Sequence, residues 1–157
     1  PRIDKKLRVM RIPEMEKLVL VASPHSSLAR QVSVRWEDLA NYPLILQCEG
    51  STAREAILRH FESRNLVPTI GAEVDNVECG KQLALQNKGL ALMFHPYISE
   101  EVAQGKLVII PVAGDEIRLG IDVVTNQDAP ISPLLSAFIK VIERHFNYPL
   151  DYPRDDR

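Results

Sequence analysis

The chain has 157 residues and a mass of 17.7 kDa, room for one ordinary domain or two small lobes, which excludes a pair of large domains. Hydrophobic residues make up 45% and charged residues 25%, so collagen-like, fibrous and extensively disordered classes fall away. Lys and Arg number 19 against 21 Asp and Glu, a net charge of −2, too balanced for the whole-surface positive field of nonspecific nucleic-acid binding.

Cys48 and Cys79 are too few for a disulfide framework and show no CxxC or Cys/His spacing suited to zinc, so a reducing cytoplasm is expected. No apolar run reaches the roughly 18 to 20 residues of a membrane span. The opening Pro1, Arg2, Ile3, Asp4 lacks the apolar core of a signal peptide, and the sequence reads as a chain entered partway through. Residues 1–11 hold Arg2, Lys5, Lys6, Arg8 and Arg11 against Asp4, a local net of +4; residues 1–15 are expected as a basic, solvated lead-in rather than a phosphate-binding arm.

From Glu16 to Ala22 a β-branched and Leu run predicts a buried strand, ended by Ser23 and Pro24. Trp36 to Tyr42 suggests a short helix, stopped by Pro43 before the strand Leu44 to Leu46. The clearest helix spans about Thr52 to Arg64, where Ala53, Ala56, Ile57, His60 and Phe61 share a face, and Thr52 with Glu55 fits a capping box. Thr69 to Val74 reads as a strand, and Asp75 or Asn76 can cap a helix to about Asn87, ended by Gly89. Leu90 to Phe94 is extended again, and Pro96 opens a short helix to about Val102. Strands follow at Leu107 to Ile110 and Leu119 to Val124. A final helix starts at Ser132 and Pro133 and runs to about Phe146, leaving residues 148–157 as a polar, frayed tail. This order implies an α/β sheet with helices on its faces and crossovers that favour parallel pairing.

In such sheets ligands lie beyond the carboxyl ends of strands, which directs attention to three turns. Gln47, Cys48, Glu49, Gly50, Ser51 and Thr52 join a buried strand to a marked helix start, a seat for an anion or carboxylate unless Ser51 and Thr52 merely cap the helix. The turn lacks the Gly-Lys-Ser or Gly-Lys-Thr of a Walker loop. Asp75, Asn76 and Val77 make the second turn, and His95 with Pro96 the third. His95 has no second histidine at ligand spacing, Cys48 has no Cys/His signature, and Glu49 with Glu78 reads as solvated surface, so neither catalytic residues, metal nor cofactor is expected.

In order along the chain, Glu16-Lys-Leu-Val-Leu-Val-Ala-Ser-Pro-His25 leads into Ser26 to Ala29, then come Val34 to Leu39, Tyr42 to Ile45, and Gly50 to Arg54 with Phe61. Glu73 to Glu78, Asn87 to Leu92, Gly105 to Val108 and Ser132-Pro133 with Phe138-Ile139 complete the set. This succession resembles the effector-binding domain of LysR-type transcriptional regulators over roughly residues 14–146. Asn87 stands where the family usually has a glycine, and Phe94 where it usually has a proline.

The resemblance implies a periplasmic-binding-protein-like fold of type 2. Residues 16–147 would be a partial effector-binding domain, with the second lobe at about 26–120 and the returning strand and helix of the first lobe at about 121–147. It implies a small-molecule effector, a small organic acid in the first instance, seated against Ser51, Thr52, Gln47, Cys48, Asn76, Val77 and His95, with Asp122 or Val123 at the crossover. It further implies self-association, no membrane, and DNA contact only through a helix-turn-helix domain outside this sequence. An orphan sensor or dimerisation decoy without DNA binding, and a fragment of a solute-binding protein, are the alternative functions.

Overall fold

A 16-residue strand, β1 (Leu7–Ala22), opens the computed structural model, which describes residues 6–128 and 132–152. Arg2, Asp4 and Lys5 of the basic lead-in and residues 153–157 of the tail lie outside the described residues. The elements after β1 are α1 (Trp36–Leu39), β2 (Leu44–Gln47), α2 (Thr52–Glu62), β3 (Ile70–Val74), α3 (Val77–Leu85), β4 (Leu90–Phe94), a 3-10 turn (His95–Tyr97), α4 (Ser99–Ala103), β5 (Val108–Ile110), β6 (Arg118–Asn126) and α5 (Pro133–Phe146). Packing divides them into two units, one of Lys17–Leu119 and one of residues 6–16 with 120–128 and 132–152.

The larger unit is built on strands in the order β3-β2-β4-β1-β5. β2 runs parallel to β3 and β4, but β1 is antiparallel to both β4 and β5, so the expectation of parallel pairing holds for only half of the sheet. The apolar runs arise because both faces are covered. Leu44 and Leu46 of β2, Leu18 and Leu20 of β1 and Leu90 of β4 face a core completed by Trp36, Leu39, Ile57 and Phe61. Ile45, Val21, Ala91 and Met93 point the other way, into a core closed by Ala84 of α3 with Ile98 and Leu107.

Two residues set the turn from α3 into β4. Asn87 adopts φ +57°, and the Lys88 and Asn87 amides donate to Leu83 O and Ala84 O, each at 3.0 Å, which closes the helix with a Schellman motif. Asparagine is the non-glycine residue best suited to that backbone, so the departure from the family pattern is structurally neutral. At Gly89 a Cβ would sit 2.6 Å from Pro43 O, and only glycine admits this close approach of chain to chain.

In the smaller unit, β6 pairs with β1 and α5 covers one face. Met10, Ile12, Ile139 and Leu150 form its core, with Ile121, Val123, Leu135, Ile142, Phe146 and Tyr152 packed around them. The first half of β1 escapes a sequence search for buried strands because Arg8, Arg11, Glu14 and Glu16 punctuate it. Arg11 is no phosphate arm: its Nε and Nη2 donate to both Asp122 carboxylate oxygens at 3.0 and 3.2 Å, a hydrogen bond that holds the Asp122 carboxyl below its usual range. Ser132 caps α5 through Leu135 N at 3.1 Å, with Pro133 at the first helical position. The expectation of a frayed tail fails at Leu150, which is 6% exposed and whose amide donates to Glu143 Oε1 at 2.9 Å. Tyr152 is also packed.

Candidate functional site

Because β2, β3 and β4 run in one direction, their carboxyl ends at Gln47, Val74 and Phe94 open onto the same end of the sheet. The β2–β3 ladder extends one step further, with Cys48 N donating to Val74 O at 2.8 Å. The three turns named from sequence therefore share one edge of the larger unit. Val123 lies instead in the smaller unit, on the face of β6 that packs against Met10 and Ile139, so its side chain is committed to that core.

At the first turn Gly50 takes φ +88°, which turns the chain so that Ser51 is the last extended residue. Ser51, not Thr52, is therefore the helix cap: its Oγ accepts from Arg54 N at 3.4 Å and donates to Gln47 Oε1. Thr52 becomes the first helical residue, exposed, and Glu55 pairs with Arg59 one turn on rather than reaching back. Among the described residues the Thr52 hydroxyl and the Thr52 and Ala53 amides have no hydrogen-bond partner, and the two amides open at the positive end of α2. Cys48 is a free, exposed thiol.

The second turn repeats the scheme. Asn76 Oδ1 accepts from Cys79 N at 2.8 Å and its Nδ2 donates to Asp75 Oδ1 at 3.0 Å, while the Val77 and Glu78 amides have no acceptor among the described residues. Below it, Lys81 Nζ bridges Glu101 Oε1 at 2.8 Å and Glu78 Oε2 at 2.9 Å, which fastens α3 to α4 and raises the lysine above its usual range. At the third turn His95 is exposed at the start of the 3-10 segment, and the Tyr97 ring leans on Phe94 at 6.2 Å. This edge is thus a row of main-chain and side-chain donors bordered by the acids Glu49, Glu73 and Asp75, an arrangement that can receive an acceptor-bearing small molecule.

Sequence reasoning passed over Arg54. Its residue exposure is 8%, its Nη1 donates to Gln47 O at 2.8 Å and its Nη2 to Glu73 Oε1 at 2.7 Å. The signal was present in the spacing, since Arg54, Ile57 and Phe61 lie at offsets of three and seven on one buried helix face. A separate cavity of about 60 Å³ lies in the same unit, lined by Lys17, Leu18, Trp36, Ile110, Glu116 and Ile117 among others, and none of the candidate site residues named from sequence lines it. Among the described residues no group of three or more His, Cys, Asp or Glu side chains is placed to hold a metal, and no helix is long and apolar enough to cross a membrane.

The family model for the LysR substrate binding domain matches residues 2–147. The chain belongs to this LysR family. It is 23% identical over 128 residues to the HTH-type transcriptional activator CmpR of Synechocystis, covering 82% of this chain and 42% of that protein. The chain thus spans less than half the length of that curated relative, a transcriptional activator. The effector-binding domain of QuiR in complex with shikimate superposes with a TM-score of 0.80 at 22% identity, covering 94% of this chain and 68% of that one. The regulatory domain of CcmR from Synechocystis in complex with 2-PG gives 0.80 at 18% identity, with 93% and 70% covered. The LysR effector-binding fold, periplasmic-binding-protein-like of type 2, is the fold of this chain.

Proposed function

We propose that the chain senses a small-molecule effector and, within a longer cytoplasmic protein, passes the occupancy of its site to a helix-turn-helix domain that binds promoter DNA. In this reading the larger unit is the second lobe and the smaller unit the returning strand and helix of the first. The observation that carries it is the convergence of three strand-to-helix turns, with open amides at Thr52, Ala53, Val77 and Glu78, on one sheet end of a LysR-family fold.

The seat consists of Ser51, Thr52, Gln47, Cys48, Asn76, Val77 and His95. Open amides at Thr52, Ala53, Val77 and Glu78 offer donors at the helix starts, so the effector is a small organic acid whose carboxylate or phosphate oxygens accept from them. That QuiR was solved with shikimate and CcmR with 2-PG supports the same ligand class. Effector binding acts by favouring one arrangement of the protein over another, including its self-association, with no bond made or broken.

Calorimetric titration of the chain with shikimate, 2-PG and benzoate tests the reading. Binding of at least one acid, weakened at least tenfold in Thr52→Ala, is the expected result. Binding that is indifferent to substitutions at Thr52, Asn76 and His95 together would move the seat elsewhere.

A further inference from the structure

We infer that Arg54 is the positioning residue of this seat, its guanidinium tying the end of β2, the edge strand β3 and the first turn of α2 into one frame; this rests on the reading of the β2–α2 turn as the place where ligand is held. The reasoning starts from cost. A cation with its side chain 10% exposed is unfavourable unless it is fully paired, and a leucine at position 54 would continue the apolar face of Ile57 and Phe61 without that penalty. Packing alone therefore does not explain an arginine.

Hydrogen bonding does. The planar fork spans two acceptors that belong to neighbouring strands, Gln47 O at 2.8 Å and Glu73 Oε1 at 2.7 Å. Gln47 is the last residue of β2 before the turn, and its side-chain oxygen accepts from Ser51, whose own oxygen caps Arg54 N. Glu73, Arg54, Gln47 and Ser51 thus form one closed chain of contacts that begins on β3 and ends at the cap of α2. Two backbone bonds hold the ends of the turn between Gln47 and Ser51, Cys48 N to Val74 O at 2.8 Å and Ser51 N to Cys48 O at 3.3 Å, but its middle contains Gly50 and is exposed at Glu49 and Gly50, so this chain of side-chain contacts sets how the turn meets the start of α2. Lysine would keep the charge but cannot serve two acceptors in fixed directions.

Amide hydrogen exchange is compared in the native chain, Arg54→Lys, Arg54→Leu and Glu73→Gln, together with calorimetric titration of shikimate and 2-PG. Exchange at the hydrogen-bonded amides of Cys48, Ser51 and Arg54 should accelerate about ten- to hundredfold in both Arg54 variants, the factor that corresponds to losing a hydrogen bond to a charged group, while β4 amides keep their native rates. Affinity for whichever acid the native chain binds should fall by a similar factor, and Glu73→Gln, which keeps an acceptor, should lie in between. Unchanged exchange in the turn, or acceleration shared equally by β4, would overturn the positioning role. Should neither acid bind the native chain, the ligand reading fails while the exchange comparison still decides what Arg54 does.

Discussion

The imidazole of His60 lies on the indole of Trp36, ring centroids 4.2 Å apart and planes inclined by 58°. Arg64 stacks on the same indole at 5.7 Å and pairs with Asp115 at 3.1 Å, so His60 shares its site with a guanidinium and a carboxylate. Burial, followed by the charge of Arg64, pushes the His60 pKa below its ordinary 6.5, against the raising influence of Asp115. Among the described residues its Nε2 is buried without a hydrogen-bond partner.

This arrangement makes stability depend on pH. With the native pKa depressed, the unfolded chain binds more protons just below pH 6.5, so the stability linked to His60 is complete above that value and is lost as pH falls through the native pKa. The carboxylates held low by their partners, Asp38, Glu78, Glu101, Glu116 and Asp122, withdraw their contributions only at more acid pH. Thermal midpoints recorded between pH 7.5 and 5 should therefore decline less in His60→Phe than in the native chain; parallel curves would show that another group titrates there.

Asn87 offers a test of backbone conformation alone. At φ +57° an alanine is strained and a glycine is not, so Asn87→Ala should cost about 1 kcal/mol and Asn87→Gly close to nothing. Urea unfolding of both variants measures the difference, and equal stability would mean that the helix end rearranges.

Leu150 tests whether the tail belongs to the smaller core. Its burial beside Met10, Ile12 and Ile139 implies that Leu150→Ala destabilises by about 2 kcal/mol, the lower end expected for a core leucine because the chain end can relax. Denaturant unfolding followed by hydrogen exchange in α5 would detect it, and native protection of α5 in the variant would place Leu150 outside the cooperative unit.

Thr52 should separate binding from stability, whereas Ser51, which belongs to the seat and also caps α2, should affect both. Ser51→Ala removes a helix cap and is expected to cost about 1 kcal/mol in unfolding free energy. Thr52→Ala, at an exposed position, should leave stability within about 0.5 kcal/mol while weakening the acid ligand. Paired unfolding and titration experiments on the two variants should show ligand weakened in both and stability lowered in Ser51→Ala alone, and an equal effect of both on stability would contradict the cap assignment.

Much of the larger unit was legible because its strands are apolar on both faces and its helices carry start signals. Leu90–Phe94 begins and ends where the apolar run does, and Asn76 caps the helix that its position announces, as Ser132 does for α5 in the smaller unit. The first half of β1 was not legible, since Met10 and Ile12 alternate with charges on a ribbon covered by a helix on one face. Nor does local sequence reveal that β1 runs against β4 and β5, a long-range choice made by the packing of Leu18 and Leu20. At the candidate site the turns could be named, but the cap was read one residue late. Arg54 was missed because charge suggests solvent, whereas spacing put it on the buried face.

β1 supplies both units: Met10 and Ile12 point into one core, while in the larger unit Leu18, Leu20 and Ala22 face one core and Val21 the opposite one. Side chains alternate with a period of two, so one residue inserted or deleted between Ile12 and Leu18 would either move Leu18 and Leu20 onto the face where Val21 packs or turn Met10 and Ile12 outward. Residue identity in that stretch is loosely constrained, as Glu14 and Met15 are exposed, but residue count is not. Length polymorphism in descendants of this gene should accordingly fall in the turns and spare the segment from Pro13 to Lys17.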